Sequence, residues 1–495
     1  MLILTFDVGT TSTKGSLFNE TLQVVASCEQ EYTVLTPEND YVEMDPCVYW
    51  DTFKWITGNL LTHVDAEEIS VVSITTQGET FIPVDRAGKP LYNAIVWLDS
   101  RAKNEAFDIS QKFDDDRFYR TFGMPNVSAA MPVAKLLWFM RNCRDLYEKT
   151  YKFLLLEDYL IYKLTGLFVS EESLLSSTGY FDINENRYSR EMLEICNIDE
   201  DKLPMIVKSS TSVGNISSHV AKETGLSPKT TVATSAMDQI SSAVGIGNIL
   251  PGRISETTGT ALVVSATVQL PNYDNAMKVP YYRHYHDGYI CMPYSSTAGI
   301  LVKWFKDNFL DSLVAEGKKQ NRSPYDLMDK LAENVPAGSN GLITLPHFAG
   351  RCSPRFDPDA TGVFYGVGLQ SRREHFIRSI YEGVGFVLRE NLEFLEMNGI
   401  KSDVLYSVGG GSQSALWTQI KSDICRKEIV VPEIYQTTSV GAAILGGVSA
   451  GIFSDVAQAC SCLKYASEFH PNEKNAMIYD DLFDTYLKLN QKLFD

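Results

Sequence analysis

Asp7-Val8-Gly9-Thr10-Thr11-Ser12-Thr13-Lys14 lies between two apolar runs, Leu2 to Phe6 before it and Gly15 to Asn19 after it. A strand therefore ends in an aspartate, a glycine lets the backbone reverse, and hydroxyls, backbone N–H groups and a lysine follow. Such a turn presents donors to phosphate oxygens, and Asp7 is placed to hold a hydrated Mg2+. Taken alone, the same residues fit an ordinary glycine-rich hairpin with a solvated Lys14.

The pattern is echoed once. Glu256-Thr257-Thr258-Gly259-Thr260 also sits between apolar runs, and Thr258 lies 248 residues beyond Thr10, half of a 495-residue chain. A duplication would give two similar lobes facing one cleft, although an echo this short also arises by chance. Gly245, Gly247, Pro251 and Gly252 crowd near the midpoint and mark the connection, so the expected lobes are residues 1–245 and 246–495. Two such hairpins would clamp a triphosphate from both sides. A third turn, Val408-Gly409-Gly410-Gly411-Ser412-Gln413-Ser414, leads into a helix-like stretch from Ala415 to Cys425; its glycines remove side chains where a flat ligand such as adenine would lie against backbone.

Elsewhere short apolar runs such as Val71 to Thr75 alternate with helical spacings such as Leu136, Leu137, Met140 and Cys143, or Ile377, Ile380, Tyr381 and Val384. That alternation predicts an α/β protein. Hydrophobic residues make up 44% and charged residues 21%, enough apolar surface for a large core. The net charge of −18 argues against nucleic acid and anionic lipid as partners. Val440 to Phe453 is too short to span a bilayer, and the N-terminal MLILTFDV lacks the basic region and cleavage site of a signal peptide. Nine scattered cysteines without a C-x-x-C pair read as reduced thiols, and a cytoplasmic location is expected.

Several chemistries lose their support. Gly88-Lys89 runs into Pro90 and Gly317-Lys318 into Lys319, so no P-loop is present; neither Gly245-Ile-Gly247 nor Gly409-Gly-Gly411 completes a dinucleotide fingerprint. There is no H-E-x-x-H, and His284-Tyr285-His286 would place two imidazoles on one strand face as the one weak hint of a metal site.

Longer motifs carry a resemblance. Phe6 to Ser12, Met237-Asp238-Gln239, Pro132-Val-Ala-Lys135-Leu136-Leu-Trp138-Phe139, and Gly362-Val-Phe364-Tyr-Gly366-Val367 followed by His375-Phe376-Ile-Arg-Ser379-Ile380-Tyr381-Glu382 resemble the signatures of the FGGY carbohydrate kinase family. The first of the two long signatures departs from the pattern at Ala130, where a larger residue or glycine is usual. The resemblance implies two actin-like, ribonuclease H-like ATPase lobes around a cleft, closing on ATP, Mg2+ and a sugar, and it allows a homodimer. It implies Asp238 as general base and Asp7 as metal holder. Thr10, Thr11, Ser12 and Lys14 would meet the phosphates, with Thr258, Gly259 and Thr260 from the second lobe. Gly409, Gly410, Gly411 and Ser414 would face adenosine, Ser414 standing where many relatives carry asparagine. An alcohol attacking a phosphoryl group does need a carboxylate at its hydroxyl and donors around the transferred oxygens; read structurally, Asp238 would merely cap the helix after it. Thr437 to Ala443 resembles the helix beneath the cleft, its small residues suited to close packing.

Substrate choice is expected in the first lobe, at Gln77, Glu79, Trp97, Asp99, Asp238 and Gln239. Thr76-Gln77-Gly78-Glu79-Thr80 is similar to the glycerol kinase segment except that Gly78 replaces an arginine, a loss expected to open volume for a longer substrate. Trp97 would stack on a carbon chain and Asp99 accept from hydroxyls; their structural alternatives are a core tryptophan and a local Asp99–Arg101 pair. The mixed pattern favours a ketopentose such as xylulose or ribulose, ahead of a polyol such as glycerol, erythritol or a pentitol. A non-enzymatic actin-like ATPase is the competing class.

Overall fold

A computed structural model describes residues 1–274 and 276–494. Leu2–Val8 is apolar at almost every position, as a strand covered on both faces must be, and it lies near the middle of a six-stranded sheet. The order is Ser212–Asn215, Thr231–Thr234, Ile69–Thr76, Leu2–Val8, Ser12–Asn19, Val24–Glu31. Leu2–Val8 pairs antiparallel with Ser12–Asn19, Val8 facing Thr13 and Asp7 facing Lys14, and parallel with Ile69–Thr76, Asp7 facing Thr75. The helix Pro46–Leu60 starts at the Asp45 cap and turns Tyr49, Phe53, Ile56 and Leu60 inward at helical spacing. Phe53 stacks on Phe6 at 4.1 Å.

The second sheet repeats this plan. Its inner strands run Glu428–Pro432, Val404–Val408, Ile254–Thr258, Leu262–Val268, Tyr289–Cys291, with parallel and antiparallel pairings matching those from Thr231–Thr234 to Val24–Glu31. The edges differ: Ser212–Asn215 precedes its partner in the chain, whereas Tyr465–Phe469 follows its own. The expected alternation, the 248-residue echo and the helix at Ala415–Cys425 thus all belong to real elements.

Each sheet sends one helix to the centre, Asp238–Gly245 from the first and Thr437–Ser449 from the second. They cross where neither has a side chain. A Cβ on Gly245 would run into the Thr437 carbonyl, and one on Gly441 into the Ser241 carbonyl. Ser242 Oγ and Thr437 Oγ1 are hydrogen bonded at 2.8 Å beside the crossing. The second lobe also reaches back over the first: Tyr119 donates to the Val279 carbonyl at 2.8 Å and Arg283 N–H donates to Ser176 Oγ at 3.0 Å. Among the described residues no helix is long and apolar enough to cross a membrane.

Candidate active site

Four consecutive residues bring the first lobe to the cleft. Ser235 N–H donates to Glu157 Oε1 (3.1 Å), Thr75 donates to the Ala236 carbonyl (2.7 Å), Met237 N–H donates to Ser173 Oγ (2.9 Å), and Asp238 opens the helix Asp238–Gly245. Asp238 is not the cap; that position is Met237, which makes no side-chain cap bond. Asp238 Oδ1 accepts from Gln239 N–H at 2.7 Å. Burial, then the Asp7 charge, then Glu79, push its carboxyl up to about 7 against that one hydrogen bond. Asp7 is itself pushed up to about 6 by burial, partly offset by Lys14, so the two carboxylates share one electrostatic environment.

The first turn is rigid before any ligand arrives. Gly9 N–H bonds the Ser12 carbonyl at 2.9 Å, and Tyr32 donates to the Gly9 carbonyl at 2.7 Å. Thr10 does not offer a free hydroxyl: Trp97 Nε1 donates to it at 2.8 Å and it donates to Gln77 Oε1 at 2.7 Å. Ser12 Oγ bonds Glu29 at 2.9 Å and Lys14 sits 3.7 Å from the same carboxylate. Gln77, 5% exposed, therefore acts on the site through Thr10, which also holds Trp97, and the Trp97 residue is 38% exposed.

Glu79 takes φ 56°, a conformation that costs a non-glycine residue roughly 1–3 kcal/mol and marks a place where the surroundings dictate the backbone. Burial pushes its carboxyl up, while the Ser177 hydroxyl and Lys135 ammonium pull it down. Lys135, fully buried, donates to the Val96 carbonyl at 2.8 Å, and burial pushes it down. Gly78 does not open the expected volume: a Cβ there would lie 3.2 Å from Met237 Sδ and 3.3 Å from Ser177 Oγ, so those side chains fill its surroundings. Asp99 also departs from expectation. It is fully buried, with its oxygens taken by Val42 N–H (2.6 Å) and by Arg101 through Nε and a terminal nitrogen (2.7–3.0 Å). Arg101 in turn bonds Glu43 at 2.7 Å and lies under the Tyr41 ring at 3.8 Å. The local ion pair is the correct reading, and no substrate hydroxyl is offered an oxygen by Asp99.

From the second lobe, Thr258 turns its hydroxyl inward to Glu256 at 2.6 Å, where Lys421 and Ser407 also bond that carboxylate; Lys421 and Glu256 are both wholly buried. Gly259 N–H is also taken, by the Ala261 carbonyl at 2.9 Å, so the exposed Thr260 is what this turn offers a ligand. Gly409 holds φ 84° with a Cβ position 2.7 Å from the Thr258 carbonyl, so only glycine lets the third turn close on the second. Gly410, Gly411 and Ser414 join Thr258 to Thr260 around a cleft of about 560 Å³. Ser414 caps the following helix, accepting from Trp417 N–H at 3.0 Å. The cradle fits a nucleotide: Gly259, Gly410 and Gly411 leave room for a ligand against backbone, and Ile300, Val302 and Tyr381 line the same cleft.

His284-Tyr285-His286 is not a strand face. His284 is buried against the Asn248 carbonyl (3.1 Å), His286 has φ 66°, and among the described residues no group of three or more His, Cys, Asp or Glu is arranged to hold a metal. Two participants escape sequence reasoning. Lys135 is visible as a lysine between apolar neighbours but carries no signal of its Glu79 partner. Tyr282 has no local signal at all: where the second lobe folds back over the first, burial and then the charges of Glu79 and Asp238 raise its phenol.

Comparison with known proteins agrees with this geometry. The family model of the FGGY carbohydrate kinase N-terminal domain matches residues 2–245 and that of the C-terminal domain residues 255–450. A gluconokinase of Bacillus subtilis (strain 168) is 28% identical over 493 residues, 99% of this chain and 96% of that protein. The ligand-bound xylulose kinase of Lactobacillus acidophilus superposes with a TM-score of 0.91 at 26% identity, covering 99% and 98% of the two chains. Plasmodium falciparum glycerol kinase with ADP superposes at 0.89 with 25% identity, covering 100% and 98%. Two actin-like lobes with phosphate turns at equivalent strand ends, matched over nearly the whole length, place the chain in the FGGY family of carbohydrate kinases, ATP-dependent phosphotransferases with an alcohol group as acceptor.

Proposed function

We propose that this kinase phosphorylates a neutral ketose or polyol, a ketopentose such as xylulose or ribulose foremost, at the mouth of the cleft between residues 1–245 and 246–495. The carrying observation is the ionic makeup of the acceptor site. Asp7 and Glu79 both raise the buried Asp238 carboxyl there, and the cation beside Glu79, Lys135, is buried and turned to the Val96 carbonyl. An aldonate would bring a further negative charge to this group, which disfavours it despite the likeness to a gluconokinase. The likeness to a xylulose kinase favours the ketopentose over glycerol.

Asp238 takes the proton of the attacking hydroxyl as its oxygen bonds the γ-phosphorus and the bond to the bridging oxygen breaks, ADP leaving with that electron pair. Glu79 and Gln239 orient the hydroxyls, and the exposed face of Trp97 packs on the carbon chain. Backbone N–H groups of Thr10, Thr11 and Thr260, with Lys14, hold the phosphates, and Gly409 to Gly411 flank the adenosine. Asp7 is the residue suited to hold a hydrated Mg2+, which when bound neutralises phosphate charge. This reading includes a cytoplasmic setting. An ATP-consumption panel of xylulose, ribulose, pentitols, erythritol, glycerol and gluconate tests it: the highest kcat/KM is expected on a neutral ketopentose, and activity confined to gluconate or to glycerol contradicts it.

A further inference from the structure

The nucleotide cleft contains an acidic side chain that the phosphotransfer chemistry does not use. Asp329 projects from the helix Pro324–Glu333 into the cleft bounded by Gly410 and Gly411. Tyr381 donates to Asp329 Oδ1 at 2.8 Å. The Tyr381 ring stacks on Trp417 at 4.7 Å with 17° between planes, and Trp417 Nε1 donates to the Tyr381 carbonyl at 3.1 Å. The carboxylate is thus fixed by a rigid aromatic pair. Burial pushes it up, and the Ser414 and Tyr381 hydroxyls pull it back down. Two hydroxyl donors leave about two of its four lone-pair sites for a ligand.

Other polar side chains also line the slot, Gln413 and Asp326 among them, and two of the rest are bonded within the protein. Ser414 Oγ accepts from Trp417 N–H, and Lys303 bonds Asp307 at 2.6 Å. Ile300 and Val302 supply an apolar wall opposite the glycine backbone, the setting for a planar ring with an acceptor at its edge.

We propose that Asp329 selects the base: it accepts a hydrogen bond from the exocyclic amino group of adenine and repels the carbonyl oxygen that hypoxanthine or guanine carries at the same position. The inference rests on the nucleotide occupying this cleft. A site built to accept from an N–H group rejects the analogue that presents an acceptor, because two unpaired acceptors are then buried against each other.

Isothermal titration of the full chain with ADP, IDP and 2′-deoxyADP tests this without turnover. ADP should bind at least about 10-fold tighter than IDP, and 2′-deoxyADP should follow ADP. Asp329→Asn, which presents an amide donor where the carboxylate accepted, should bring the ADP:IDP ratio to near or below one. Tyr381→Phe, which keeps the ring stack but frees the carboxylate, should narrow the ratio partway, and it carries the test if Asp329→Asn does not fold. Equal binding of ADP and IDP to the wild type, an unchanged ratio in the variants, or an Asp329→Asn effect that appears against 2′-deoxyADP instead overturns the proposal while leaving the cleft as the nucleotide site. Failure of any nucleotide to bind overturns both.

Discussion

Asp238 is a carboxylate made basic by its position. Burial and the Asp7 charge raise it to about 7, where a general base serves best near neutral pH. The base must be ionised, so kcat/KM should climb as pH rises through about 7 and level off above it; a profile flat between about pH 5.5 and 8 would contradict the assignment. The sign for stability is opposite. Asp7 and Asp238 hold protons in the folded chain that they lose when unfolded, so their contribution to stability is full below about pH 4 and is lost as pH rises through about 6 to 7, each carboxyl giving up at most about 1.4 kcal/mol per pH unit. The kinase is therefore expected to work where its own site is least comfortable. Residue type is legible in the sequence at Asp7, Glu79 and Asp238, because each is a carboxylate in a polar turn or helix start that follows an apolar strand. Side-chain direction is not. Thr10, Gln77, Asp99 and Thr258 all carry suitable groups, yet each is bonded within the protein by a residue distant in sequence or buried beside it: Trp97, Thr10, Arg101 with Val42, and Glu256 with Lys421.

At the scale of elements, the helix that begins at the proposed base, Asp238, is also the one that joins the lobes. Asp238–Gly245 meets Thr437–Ser449 backbone to backbone at Gly245 and Gly441, with Ser242 and Thr437 bonded alongside. Gly441→Ala puts a methyl group into the Ser241 carbonyl, three residues from Asp238, and the helices must part. A loss of about 1–3 kcal/mol or more in stability is expected from overpacking, with kcat falling more than nucleotide affinity because Asp238 rides on the displaced helix. Thermal melting and ADP titration of the variant check this; a variant as stable and as active as the wild type would show that the crossing is loose. The small residues of Thr437 to Ala443 are legible as a close-packing stretch, whereas their partner is not, since glycine at Gly245 reads equally as the end of a helix.

Over the whole molecule, strand order tells the history that a five-residue echo only hints at. Five inner strands recur in the same order and direction in both sheets, and only the edge strands come from different places in the chain. Alternating apolar and helical periodicity makes this plan legible, because buried strands and one-faced helices impose it on any sequence. The fold-back of Val279 to Arg283 onto the first lobe is not legible, since nothing local in that segment distinguishes an edge strand from a docking one. It brings Tyr282 into the electrostatic surroundings of Glu79 and Asp238, so both lobes border the proposed acceptor site. On the proposed reading, a chain of net charge −18 binds its nucleotide through local backbone donors, Lys14 and Mg2+ rather than through its overall field. The most direct measurement is phosphorus NMR of ATP and Mg2+ with a neutral ketopentose, comparing the wild type with Asp238→Asn. A sugar phosphomonoester should accumulate with ADP in the wild type and form at least about 100-fold more slowly in the variant; no phosphoester from any neutral ketose or polyol, or an undiminished rate in Asp238→Asn, would contradict the account.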